Sequence, residues 1–198
     1  MVPREKYLSA GVHIGMTSKT AKMKKFIYKV RPSGLAVLNI SALDRRLDQA
    51  AGMLASYKNI LVVCYKDIGR EPAKKFAEAI GARSIIGRFM PGSLTNPTFK
   101  GFFEPDVIVV TDQASDTQAL KEATKIRVPI IALSDTFNDT AYIDFILPCN
   151  NKGKKSLALV YWILARAVVE KRGEEFSAKP EDFGYEPEKE MAEVVEEA

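Results

Sequence analysis

Histidine and cysteine are nearly missing from this chain, with one His and two Cys among 198 residues. No Cys-x-x-Cys and no Cys/His pair occurs, so neither a zinc site nor a disulfide framework is expected. Cys64 lies inside the apolar run Ile60–Tyr65 and reads as a small buried hydrophobe; Cys149 follows Leu147-Pro148 at a strand end. His13, in Gly11-Val-His-Ile-Gly15, precedes the first parallel strand. One histidine cannot supply both a general base and a metal cluster, so it is expected to be packed or to cap. Long hydrophobic runs are missing too. The longest, Leu157–Ala165, is about half the ~20 residues of a membrane-spanning helix. Residues 1–10 hold no apolar stretch of the secretory kind. The expectation is a soluble, cytoplasmic protein with no membrane partner.

The glycines of nucleotide binding are also absent. No G-x-G-x-x-G follows a strand, and neither G-x-x-x-x-G-K-[ST] nor G-x-S-x-G occurs. Asp112 and Asp135 follow strands, as a phosphoacceptor aspartate does. A receiver-type site needs further acids for Mg²⁺, and the run Ile60–Tyr65 is followed by Lys66-Asp67 with no acid pair. Aspartates after strands also cap helices, which is the reading preferred here. A nucleotide- or flavin-binding enzyme and a receiver domain are therefore the competing readings that lack their equipment. No catalytic constellation, cofactor, metal or small-molecule substrate is expected, and the chain is read as not an enzyme.

What is present is a run of short β-branched segments. Ile60–Tyr65, Ser84–Ile86, Val107–Thr111, Ile130–Leu133 and Phe145–Pro148 are almost continuously apolar, as strands buried on both faces are. Helical spacing links Leu43, Leu47, Ala50, Leu54 and Tyr57, after a start at Ser41 with Asp44 as a capping-box partner. A second helix is expected over Glu71–Ile80, ended by Gly81. A third follows Ser115, boxed with Gln118, and turns Ala119, Leu120, Ala123 and Ile126 inward. A fourth, Lys155–Lys171, is apolar on nearly all sides and reads as sandwiched between layers. Alternation of this kind predicts a three-layer, doubly wound, flavodoxin-like α/β domain with a parallel sheet of about five strands. Phe26–Ile40, turning at Pro32-Ser33-Gly34, predicts a β-hairpin ahead of it. Two crossovers look unusual. Residues 87–106 hold turn formers where a helix belongs, and 134–144 are too short for a comfortable helical crossover.

Charge divides the chain into three parts. Net charge is only +4, yet residues 1–34 carry eight Lys/Arg against Glu5, and residues 174–198 carry ten acids against Lys179 and Lys189. The expected organisation is a basic N-terminal segment (1–25), one α/β domain with its hairpin (26–173) and an acidic C-terminal tail (174–198) that folds only against a partner. Such asymmetry points to a polyanionic partner. Basic residues recur outside the regular elements in three places. The first is Lys19, Lys22, Lys24, Lys25 and Arg31. The second is the long loop Arg88–Pro105, where Arg88 and Lys100 flank Thr95 and Asn96 and no acid occurs before Glu104. The third is Asn150–Ser156, with Lys152, Lys154 and Lys155 ahead of a helix N-terminus. Lysines on loops beside small polar residues suit contacts to a nucleic-acid backbone.

Six segments, in this order, carry a resemblance: AGVHIG (10–15), MKKFIYKVRPSGLAVLNI (23–40), GRFMPGSLTNP (87–97), FFEPDVIVVTD (102–112), VPIIALSDT (128–136) and FILPCNNKGKKSLALVYWILAR (145–166). The chain resembles the second small-subunit ribosomal protein family, called ribosomal protein SA or the laminin-receptor family in its eukaryotic branch, with archaeal wording. The resemblance implies a non-enzymatic constituent of the small ribosomal subunit. It implies binding to small-subunit ribosomal RNA and to other small-subunit ribosomal proteins near the head–body junction. Bacterial members carry a helical-hairpin insertion after the segment matching GSLTNP, and this chain lacks it: Pro97 is followed almost at once by Phe102-Phe103.

Overall fold

The five short apolar runs form one parallel sheet. In the computed structural model, which describes residues 2–185, they are β3 (Ile60–Cys64), β4 (Arg83–Ile86), β5 (Val107–Val110), β6 (Ile130–Ser134) and β7 (Phe145–Pro148). Their order is β4-β3-β5-β6-β7, the flavodoxin-like arrangement, with the strand order reversing between β3 and β5. Strand residues alternate between two cores. Ile60, Val62, Val107, Val109, Ile131 and Leu133 face one layer, and Leu61, Val63, Ile108, Val110 and Ala132 face the other.

The first layer holds α2 (Ile40–Ser56), α3 (Asp67–Ile80) and α5 (Lys154–Arg172). Helix α5 packs between the other two and buries every residue from Ser156 to Ala165, which explains its all-round apolarity. Among the described residues the second layer holds a single helix, α4 (Thr117–Ile126), packed through Ala119 and Ala123. The long loop replaces a helix there, inserting Phe89 and Leu94 over β3 and β5. The 134–144 crossover is likewise irregular. A short helix α1 (Arg4–Ser9) and the antiparallel hairpin β1 (Ile27–Val30)–β2 (Ala36–Leu38) precede the sheet. Met23, Phe26 and Leu38 cover Ile146, and the Arg46 guanidinium lies between the rings of Phe26 (5.1 Å) and Phe145 (4.6 Å). Arg46 also donates to the Ile146 carbonyl at 3.3 Å, occupying one acceptor on the β7 edge.

Three helix starts differ from the sequence reading. Asn39, not Ser41, caps α2: its Oδ1 accepts from the Ser41 and Ala42 amides at 3.0 and 3.3 Å. Ser41 and Asp44 hold α1 instead, Ser41 accepting from Arg4 at 2.8 Å and Asp44 from the Tyr7 hydroxyl. Helix α3 begins at Asp67, four residues early, with Pro72 inside it. The Ser115–Gln118 box does not form, because Ser115 donates to Asp112 (2.8 Å) and Gln118 to Glu122 (2.8 Å).

The change of charge at residue 174 does not coincide with the end of packing. Phe183 and Tyr185 are buried in the first core, and Trp162 donates its indole N–H to the Ala178 carbonyl at 3.0 Å. The remaining acidic residues, 186–198, lie outside the described residues.

Candidate nucleic-acid interface at the carboxyl end of the sheet

In open α/β sheets, ligands enter the crevice beyond the carboxyl ends of the strands where the order reverses. Here the protein's own side chains span that crevice, with a cavity of about 270 Å³ left beside them between Tyr65, Arg88, Phe89 and Asp116. Lys66, after β3, places Nζ 2.7 Å from Asp112 Oδ2, after β5. Asn138 and Asn151 donate to Asp112 Oδ1 at 2.8 and 3.2 Å. Asn151 also donates to the Leu133 carbonyl (3.2 Å), joining β6 and β7 to the network. Burial alone would push the Asp112 carboxyl up; the Lys66 ammonium, with Asn138 and Ser115, outweighs it and holds the group below its ordinary range. Asp116 has no such cation at contact distance among the described residues. Burial pushes it up to about 6, against the amides of Asp112 and Tyr65, which donate to it. Asp112 is thus a buried strut with both oxygens engaged.

The two basic segments nearest β7 meet at this same end. Thr136, after β6, accepts from the Met16 amide (2.9 Å) and donates to the Ser18 carbonyl (3.1 Å); the Thr20 hydroxyl donates to the Asn138 carbonyl (3.1 Å). Gly15 permits this approach, since a Cβ there would come within 2.5 Å of Thr136 Cγ2. Asn150, after β7, donates its amide to the Val12 carbonyl (3.0 Å), and its own Oδ1 folds the loop by accepting from Lys152 and Gly153. Lys19 and the lysine loop therefore flank one junction. Lys152 lies 4.1 Å above the Phe137 ring, and Lys154 opens α5. Lys22, Lys24, Lys25 and Arg31 continue along the hairpin side, exposed. None of Lys19, Lys22, Lys24, Lys25 and Arg31 forms an ion pair with a described carboxylate. His13 beside them is buried and shifted down by that burial.

The long loop is not a single patch. It leaves the carboxyl end of β4 at Arg88 and returns at the amino end, where Arg83 reaches the Gly101 carbonyl and stacks on Phe103. Arg88 and Lys100 therefore lie toward opposite ends of a strand about 13 Å long. Buried Glu122 on α4 anchors the loop, accepting from the amides of Gly92 (2.8 Å) and Leu94 (3.1 Å) and from the Thr95 hydroxyl (3.3 Å). Asn96 accepts from Thr98 within the loop. Thr95 and Asn96 are exposed, but their side-chain oxygens already serve the loop itself. Lys66, Glu122, Asn138 and Asn151 were not singled out from the sequence, because each acts on a partner distant in the chain.

A family profile described as Ribosomal protein S2 matches residues 7–101 and 100–171. The chain belongs to the ribosomal protein S2 family. A curated relative, "Small ribosomal subunit protein uS2" of Haloquadratum walsbyi, is 50% identical over 175 residues, covering 87% of this chain and 63% of the relative. The chain thus spans under two thirds of that relative's length. The ribosomal protein S2 match covers the sheet, its helices and both basic segments at its carboxyl end. It is a family of ribosomal proteins rather than of enzymes. Among the described residues no group of His, Cys, Asp and Glu could hold a metal, and no helix is long and apolar enough to cross a membrane.

Proposed function

We propose that this chain is a structural constituent of the small ribosomal subunit, working in the cytoplasm on the ribosome. In this reading it binds ribosomal RNA and neighbouring ribosomal proteins near the head–body junction and contributes to subunit assembly. The observation that carries the reading is the meeting of Lys19 and the Lys152–Lys155 loop at the carboxyl end of the sheet, where the Lys66–Asp112 pair spans the point at which the strand order reverses. Lysines on loops beside small polar residues suit contacts to phosphates, which position a protein on a nucleic acid without reading its sequence. The proposed contacts are Lys19, Lys22, Lys24, Lys25, Arg31, Lys152, Lys154 and Lys155 around the β7 side, with Arg88, Thr95, Asn96 and Lys100 on the long loop. The last four do not share one patch, since Arg88 lies toward the carboxyl end of β4 and Lys100 toward its amino end.

Sedimentation of native lysate through sucrose gradients at rising salt tests this. The chain is expected to travel with small subunits in unit stoichiometry and to leave them as salt rises, with a log–log slope of roughly −0.7 to −0.9 per phosphate neutralised. Migration at the top of the gradient at every salt concentration would overturn it.

A further inference from the structure

On the second face, the β6–β7 crossover lays down no helix beside α4. Between α4 and this crossover runs a groove of about 730 Å³, of a size that ordinarily takes a ligand or an anchoring side-chain cluster. Leu120, Ala141, Phe137 and Tyr142 line it, and Tyr142 is 75% exposed at φ +62°. At its inner end the side-chain carbonyl of Gln113, a residue 5% exposed, has no hydrogen-bond partner among the described residues. On its rim α4 presents Lys121 and Lys125, one turn apart, and neither forms an ion pair with a described carboxylate.

We propose that this groove receives an amphipathic helix from a neighbouring ribosomal protein. Its apolar side meets Leu120, Phe137 and Tyr142, and acids spaced one turn apart pair with Lys121 and Lys125. The inference rests on the ribosomal reading above. Helix-in-groove recognition needs an apolar trough and an exposed charged rim of one sign along one wall, and both are present, since the acid of the α4 wall, Glu122, is buried and held by the long loop. An incoming helix would lie where a doubly wound fold ordinarily carries its own crossover helix. RNA fits less well, because Asp139 stands on the opposite rim and the lining is mainly carbon.

The test uses assembled subunits. The chain carries p-benzoylphenylalanine in place of Tyr142, small subunits are purified and irradiated, and the adduct is identified by mass spectrometry. The expected adduct is one ribosomal protein, joined through an acidic amphipathic segment. Lys121→Glu with Lys125→Glu should lower its yield at least ~10-fold, like charges across a rim being costly, while the chain still sediments with the subunit. An adduct to RNA, an adduct to residues 186–198 of the same chain, no adduct, or a yield unchanged by the charge reversal overturns the proposal. A chain that stays off the subunit altogether overturns the ribosomal reading and this inference with it.

Discussion

Lys66 and Asp112 join across the point where the strand order of the sheet reverses, 2.7 Å apart, with the carboxylate 1% exposed and the ammonium 24%. Removing Lys66 leaves a buried carboxylate with only neutral donors. Lys66→Ala is therefore expected to cost about 2–4 kcal/mol, somewhat below the figure for a fully buried pair because the lysine is partly solvated. Lys66→Ala combined with Asp112→Asn should cost less than the sum of the two single changes. Urea denaturation of the four proteins gives the coupling; additive losses would mean the pair does not stabilise the crevice.

Asp116 gives a pH signature. Its folded carboxyl titrates at about 6, above the ordinary 3.8. A raised acid binds its proton more tightly in the folded state, so its contribution is fully present below about 4 and is lost as pH rises through 6. Asp116→Asn should gain on the wild type by about 2–3 kcal/mol between pH 4 and pH 7.5. Asp112 runs the opposite way, its lowered group stabilising the fold above the ordinary carboxylate range and failing in acid. Denaturant melts of wild type and Asp116→Asn at both pH values separate the two; a constant difference would place Asp116 in contact with water.

Glu122 fixes the long loop through two amides and a hydroxyl. Glu122→Ala is expected to destabilise by about 1–3 kcal/mol, since buried amides lose their acceptor. Amide hydrogen exchange should quicken at Gly92 and Leu94 more than in the sheet. Uniform quickening across the domain would show that Glu122 supports the core and not the loop.

Lys152 and Lys154 are both exposed, and of the two Lys152 also stacks on Phe137 and faces buried Asp135. Changing both to Gln should cost only about 0.5–1 kcal/mol, the size of an exposed cation–π contact. The salt slope of RNA binding should flatten by roughly 0.7–0.9 for each lysine that touches a phosphate. An unchanged slope would remove this loop from the interface. Arg88→Glu with Lys100→Glu is the parallel test for the long loop.

The sequence was most informative where burial is two-sided. Phe145–Pro148 and Ile60–Cys64 read as strands because parallel strands covered on both faces are apolar throughout. It was least informative where a residue's partner lies far along the chain. Helix α3 starts early despite Gly69 and Pro72, because Gly69 fits under Cys64, where a Cβ would approach Sγ to 2.8 Å. Local propensity opposes helix there and a tertiary contact decides it. Glu122 sits in a helix that its periodicity reads as amphipathic, and nothing nearby shows that it faces a loop 28–30 residues earlier. The convergence of Lys19 with Lys152 follows only from sheet order. Thr136 and Asn150, which place them, look in sequence like ordinary turn residues.

Helix α1, seated through its buried Tyr7, has a consequence for how the protein is made. Ser9 lies 3.3 Å from the Tyr185 hydroxyl, 176 residues away, and the Thr136 that pins Met16 and Ser18 comes 118–120 residues later. At synthesis rates of about 5–20 residues per second, on the order of ten to thirty-five seconds separate the first helix from its last neighbour. During that interval the Lys19–Lys25 stretch emerges as a polycation with no fold behind it. On the RNA-binding reading proposed above, meeting RNA and acquiring structure become a single coupled event for the newborn chain, with the order of the two set by translation itself.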